Sequence, residues 1–417
     1  MARTRSRRRR TTTEWIVRGA LAIIVMALGY ISVASTMGYL SRVAAPEHAH
    51  RLAPWDGRVT AMLAAKLSGV DGDAVDLIRA RRLAREALLQ DPTATGAVIA
   101  LGLVDEQTGR SRAAARLFNY ANVLSRRDLA TQLWAIETAV SRGNIAGALR
   151  HYDIALRTSR HAPDLLFPVL VSAIADPPIR AALVQTFRNK PSWAPLFIEY
   201  AASNGPNPHV TSLLFHDLQR SGITIAPVAQ TVLIDTLASR GAFDDAWLYY
   251  SAVRPNSDRR RSRDSRFTAN LTMPTVFDWR IANDSAISAS IQRTDNGGVV
   301  DFSAPSGVGG TVVQQTQLLP PGRYRLSGRA AALAALGNDS PYWVAACQNG
   351  RELGRINIPG TGDFTGVFNV PAECVAQTLS LVLRPSDATG GTTGQIERVQ
   401  LVPLTQNNVT AGGRAQR

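Results

Sequence analysis

Residues 19–40, GALAIIVMALGYISVASTMGYL, carry no charged side chain, and no other stretch of this 417-residue chain limits its fold so strongly. As an α-helix rising about 1.5 Å per residue, the run would extend about 33 Å, enough to cross a hydrocarbon core of about 30 Å. Arg3, Arg5, Arg7, Arg8, Arg9, Arg10 and Arg18 precede it, opposed only by Glu14, whereas Arg42, Glu47 and Arg51 follow it. Basic flanks stay on the cytoplasmic side. The expectation is therefore a single-pass protein of a bacterial inner membrane, N-terminus in, with most of the chain in the periplasm. A cleaved signal peptide is the competing reading. Its apolar core runs about 7–15 residues, shorter than this one, and the nearest small-residue site, Ser32-Val33-Ala34, is a poor cleavage sequence. Twin-arginine export wants hydrophobic residues where Thr11 and Thr12 stand.

The net charge of +14 does not describe a nucleic-acid surface, because most of it sits in two short segments. Residues 1–18 hold +6 and residues 254–266 hold +4, leaving the rest close to neutral. The N-terminal arginines suit an anionic membrane leaflet, and no nucleic-acid partner is expected. With 45% hydrophobic residues the chain can fill two cores beyond the anchor.

From Pro54 the sequence breaks into short amphipathic helical segments divided by Gly, Asp-Pro and Arg-Asp. Gly109, Phe118 and Ala121 return as Gly143, Tyr152 and Ala155, an offset of 34 residues, and Ala87 precedes Ala121 by the same interval. A third copy has Gly241, Ala246 and Tyr250. A fixed period of this length marks stacked helical hairpins. The prolines of 176–178, 190–191 and 205–208 divide the interval between the second and third copies into degenerate hairpins, making about six hairpins over 54–254. Spacing and residue types resemble the tetratricopeptide repeat, with a small residue at the turn, Ala113 or Ala114 and Ala148 early in the second helix, then an aromatic and another alanine. The resemblance implies a solenoid whose first helices line a groove for a protein partner, with Trp134, Glu137 and Arg142 as groove candidates. A plain spacer between membrane and second domain is the alternative.

Residues 255–266 are polar, basic and aperiodic, and read as a linker or extended arm. Beyond them Gly, Thr and Val replace Ala and Leu, and about nine segments of alternating polarity follow without an intervening helix. This pattern predicts an antiparallel β-sandwich. The segment 313–329, in which a glutamine-bearing strand runs through Pro320-Pro321-Gly322 into the strand of Tyr324, resembles jelly-roll carbohydrate-binding modules and galactose-binding-like domains. Such sandwiches imply fold more firmly than ligand. The expected order is then a basic tail (1–18), membrane helix (19–40), juxtamembrane linker (41–53), repeats (54–254), basic linker (255–266), jelly-roll sandwich (267–405) and flexible tail (406–417).

Cys347 and Cys374 are the only cysteines. In an exported domain they are expected to form one disulfide, and two separate buried thiols is the other reading. Catalysis finds no support. None of the six histidines stands in a paired-ligand spacing, and the β region has none. No catalytic residue, metal or cofactor is expected, although Asp278, Asp284, Asp295 and Asp301 could furnish oxygens to a structural cation. The functional expectation is a non-enzymatic scaffold that docks a protein and contacts envelope glycan or exopolysaccharide. Its alternatives are an assembly factor without sugar contact and an accessory subunit of a glycan-active enzyme. Sugars stack on exposed aromatic rings, which makes Trp279, Tyr342 and Trp343 the ligand candidates. Tyr342 and Trp343 are adjacent, so a strand would send them to opposite faces.

Overall fold

The computed structural model describes residues 12–69, 73–283, 285–294, 297–334 and 339–404. Asp284, Asp295, the arginines before Thr12 and the tail after 404 lie outside the described residues. The chain divides into two units, residues 1–166 and 167–417.

The first unit begins with α1 (Thr12–Ser41), α2 (Pro46–Leu52), α3 (Gly57–Leu67) and α4 (Ala74–Gln90). It continues through α5 (Thr95–Gln107), α6 (Ser111–Leu124), α7 (Leu129–Ser141) and α8 (Ile145–Thr158). α1 is long and apolar enough to cross a membrane. The segment expected as a juxtamembrane linker instead contains α2. Pro46 starts that helix, where a missing N–H costs nothing, and Ala49 and Ala53 on one side of it are fully buried. Asp56 caps α3 by accepting from the amides of Arg58 and Val59.

The 34-residue spacing is realised as hairpins α3/α4, α5/α6 and α7/α8. Gly109 and Gly143 both take left-handed φ, 75° and 68°, at the turn between the two helices of a hairpin. The amide one residue later returns to a carbonyl five residues back, Arg110 to Asp105 and Asn144 to Ala139, which closes the first helix. A β-carbon on either glycine would meet the left-handed penalty. Ala114, Phe118 and Ala121, like Ala148, Tyr152 and Ala155, are buried.

The second unit takes in most of α9 (Ala162–Ala173), then α10 (Pro177–Arg188), α11 (Ala194–Asn204), α12 (Pro208–Arg220), α13 (Pro227–Ser239) and α14 (Phe243–Val253). Pairing α3 to α14 in order yields the six expected hairpins. Strands follow: β1 (Arg280–Ile281), β2 (Ser288–Thr294), β3 (Gly297–Ala304), β4 (Gly310–Gln317) and β5 (Gly322–Leu333). They continue as β6 (Tyr342–Cys347), β7 (Glu352–Asn357), β8 (Gly362–Val370), β9 (Gln377–Leu383) and β10 (Thr392–Pro403). Two antiparallel five-stranded sheets, β1-β4-β9-β6-β7 and β2-β3-β10-β5-β8, enclose one core. Nine of these strands match the alternating segments, and the two-residue β1 adds to them. Cys347 and Cys374 are disulfide-bonded with Cα atoms 5.6 Å apart. Closing 27 residues favours the fold by roughly 3–4 kcal/mol through loss of unfolded-chain entropy.

Residues 255–266 pack as an arm against the sandwich, with the Ser262 amide donating to the Leu401 carbonyl. They form no regular element, yet Arg263 is buried, and its side chain is satisfied from three directions. Its Nε donates to the Phe277 carbonyl at 2.8 Å, Nη1 to Gln317 Oε1 at 3.0 Å, and Nη2 to the Thr316 carbonyl. Beside it Tyr250, on the last helix, donates to Asp278 Oδ1 at 2.8 Å. The other oxygen of Asp278 accepts from the Thr275 amide and hydroxyl. Trp247 and Tyr250 meet Phe277 with ring centroids 5.6 and 5.2 Å apart. Burial pulls the Arg263 pKa down to about 10, so it remains a cation at neutral pH. A buried charge stripped of its partners is expensive. Arg263→Ala should therefore cost about 3–5 kcal/mol in denaturant unfolding of the full chain, while Arg260→Ala, exposed in the same segment, should stay within about 0.5 kcal/mol. Equal, small effects would show that the guanidinium does not hold this segment in place.

Candidate functional site

Two surfaces of the second unit offer themselves for recognition. The first is a groove of about 650 Å³ among α10 to α13. Its floor is apolar, built from Phe187 at the end of α10, Ala194 and Ile198 on α11, and Ala229 on α13. Two loops frame it. Lys190, in left-handed conformation at φ 50°, and Pro191 turn the chain into α11. Gly222, at φ 73°, turns it toward α13. Arg188 and Lys190 stand exposed at the rim, with Glu199 the single acid. Arg188 is steered by Gln185 Oε1 at 3.0 Å. Pro191 marks the first of these turns in the sequence. No local signal said that the two turns lie side by side.

The second surface is the outer face of the β1-β4-β9-β6-β7 sheet around Tyr342. Tyr342 lies opposite Val382 on β9 and Asn357 on β7. The Arg355 and Arg384 guanidinium carbons stand 4.4 and 4.7 Å from its ring centroid. Arg355 is paired with Glu352 through two hydrogen bonds, and Arg384 donates to Asn357 Oδ1 at 3.0 Å. The result is a half-buried ring under two cations that are themselves held from the sides.

Alternation separates Tyr342 from Trp343 as expected, but the other two ligand candidates are corrected. Trp343 is fully buried, on the inward row with Ala345 and Cys347, and packs 5.6 Å from the Trp279 ring. Trp279 is 5% exposed, and its Nε1 donates to the Asp264 carbonyl at 3.0 Å. Neither ring stands out on the surface. Of the groove candidates, Trp134 is half-buried and stacks on Phe118 at 4.7 Å and 11°. That ring fills space between hairpins. Glu137 is exposed on α7, and Arg142 is the exposed cap residue at its end. All three lie in the first unit, so they are not part of the groove among α10 to α13.

Among the acids considered for a cation, Asp278 is occupied by Tyr250 and Thr275, and Asp301 accepts from Gln395 at 2.7 Å. No cluster of three metal-ligating side chains occurs among the described residues. Asp363 and Glu397 both face Arg329, at 3.9 and 3.3 Å, and are 70% and 45% exposed. They lack the apolar enclosure that makes a carboxyl a general acid.

No family model matches the chain, and no curated protein matches it significantly. Solved structures similar to it over the β region include TmCBM61 in complex with β-1,4-galactotriose, at 15% identity and a TM-score of 0.22, covering 30% of this chain and 88% of that one. A CBM4 structure shares 15% identity, with a TM-score of 0.25 and coverage of 34% and 99%. Over the helical region, the human IFIT1 dimer with PPP-AAAA shares 15% identity, with a TM-score of 0.28 and coverage of 55% and 64%.

The different placements of the three candidate rings can be measured. Trp279→Ala and Trp343→Ala should each destabilise the sandwich by about 3–5 kcal/mol, whereas Tyr342→Ala should cost under about 1.5 kcal/mol in the same denaturant titration. A large loss for Tyr342→Ala would return that ring to the core.

Proposed function

We propose that the chain is a membrane-anchored, non-catalytic scaffold. In this reading α1 holds it N-in in a bacterial inner membrane, and periplasmic tetratricopeptide-like repeats dock a protein partner. A jelly-roll-like sandwich contacts an envelope glycan or exopolysaccharide. The Cys347–Cys374 bond supports an oxidising compartment for the folded part.

The observation that carries docking is the groove among α10 to α13. An apolar floor with Arg188 and Lys190 at its rim fits an extended peptide that buries one or two apolar side chains and presents a carboxylate. Glycan contact rests on Tyr342 and its two arginines, whose charge favours an acidic sugar over a neutral one. Burial of Trp279 and Trp343 favours a second reading, in which the sandwich is a structural cap and touches no glycan.

Site-specific photo-crosslinking in living cells tests docking. A crosslinker at Ala226, exposed on the groove wall, should give one discrete protein adduct that weakens when Arg188 and Lys190 are both changed to Glu. Absence of any adduct, or an adduct indifferent to the charge reversal, would reject this groove as the docking site. Retention of the full chain on acidic polysaccharide from its own host, lost in Tyr342→Ala at unchanged stability, would in turn reject the structural-cap reading.

A further inference from the structure

The last turns of α1 belong to the folded domain rather than to the lipid. Ala34 is 4% exposed, and a β-carbon on Gly38 would stand 2.9 Å from that of Ala53 and 3.3 Å from the Ala49 carbonyl. Small residues on both helices bring their backbones into contact. The chain then turns back along α1, and Trp55 Nε1 reaches Ser35 Oγ at 3.3 Å. α2 cannot enter a hydrocarbon core, since Glu47, His48 and Arg51 are exposed on it. The lipid-facing part must therefore lie before Ser35. From Trp15 to Val33, about 19 residues would extend about 28 Å, which matches a core of about 30 Å with Arg18 reaching to the headgroups.

Trp55 thereby sits at the level where α1 leaves the fold. The edge of the first hairpins that starts there carries apolar tips. Leu89 and Val123, at 34-residue-equivalent positions near the ends of α4 and α6, are 88% and 79% exposed. Gln90, beside Leu89, donates to the Pro54 carbonyl at 2.9 Å, which ties the end of α4 to the turn bearing Trp55. Arg126 and Arg127 are exposed in the loop after α6, and the next equivalent position is Arg157. Apolar tips next to the anchor, followed by arginines, are the chemistry of a bilayer interface with anionic headgroups.

We infer that this edge of the first hairpins, with Trp55, Leu89 and Val123 at its tips, docks on the surface of the same bilayer that α1 crosses. The inference rests on the anchor reading above. Docking fixes the array against the membrane instead of leaving it on a swivel, because α1 and the first hairpins pack as one piece.

The test uses the full-length chain reconstituted in vesicles of mixed phosphatidylcholine and phosphatidylglycerol that carry a shallow nitroxide lipid. An environment-sensitive fluorophore is attached at Leu89→Cys, Val123→Cys or Arg112→Cys. All three sites are exposed, and Arg112 stands at the opposite end of α6 from Val123. Quenching at positions 89 and 123 with none at 112 is the expected result. Equal quenching at all three, or none at 89 and 123, in a chain that stays with the vesicles overturns docking and leaves the anchor intact. Recovery from cells of a soluble chain cleaved within residues 30–40 overturns the anchor and the docking together.

Discussion

One buried guanidinium sets how the helical array ends. The repeats of a solenoid are stable because each hairpin covers the flank of the one before, so the last hairpin needs a different cover. In the second unit that cover is the sandwich, and Arg263 fastens the connecting segment to it. Its donors are used by two carbonyls and a glutamine, and its charge lies near Asp278, which itself holds Tyr250. Tyr250 occupies the repeat position that, in Phe118 and Tyr152, fills the space within the array. Here the same side chain reaches β-sandwich residues instead. Arg280 and Asp235 form a second link, with Asp235 also accepting from the Val276 amide at 2.9 Å. Polar satisfaction therefore does what hydrophobic stacking does in earlier hairpins, and with stricter geometry, since an unpaired buried charge is far costlier than a small packing gap.

What could be read from the sequence follows from the range of the interactions involved. The apolar run, the 34-residue recurrence and the alternating segments are local patterns, and they fold as a long apolar helix, helical hairpins and strands. Left-handed glycines such as Gly109 are legible for the same reason, because the turn they form is decided within a few residues. The burial of one arginine in the basic segment is not legible, for the opposite reason. Arg263 differs from Arg260 and Arg261 only in what the fold places around it, and those partners come from residues 277 and 315–317. Alternation likewise divided Tyr342 from Trp343 without saying which faced out. The inward row is set by Ala345 and Cys347, and by the disulfide that holds Cys347 to Cys374. The groove among α10 to α13 left no trace at all, because it arises where two loops far apart in sequence come together.

The first unit closes its own open flank by a different device. There α2 lies against α1 and α3, and the contact with α1 uses Gly38, Ala34, Ala49 and Ala53, which carry no side-chain entropy to lose and let the backbones approach. Such a contact has little tolerance for growth, since even one methyl on Gly38 would overlap Ala53. It also needs no charge, which suits the end of a helix as apolar as α1.

Each of these covers limits which surfaces of its own unit stay open. A stack of hairpins has two flat end flanks, two long edges formed by the turns, and the faces of its helices. In the first unit one flank is taken by α2 and α1, and in the second the flank of α13 and α14 is taken by the sandwich, each through buried contacts. In the first unit the space between α6 and α7 is filled as well, by the stacking of Trp134 on Phe118. The turns are what remain. They carry the exposed Leu89, Val123, Arg126 and Arg127 in the first unit, and Lys190, Gly222 and the rim of the groove in the second. At these turns side chains can vary without disturbing the alanines and glycines that set the spacing of the helices.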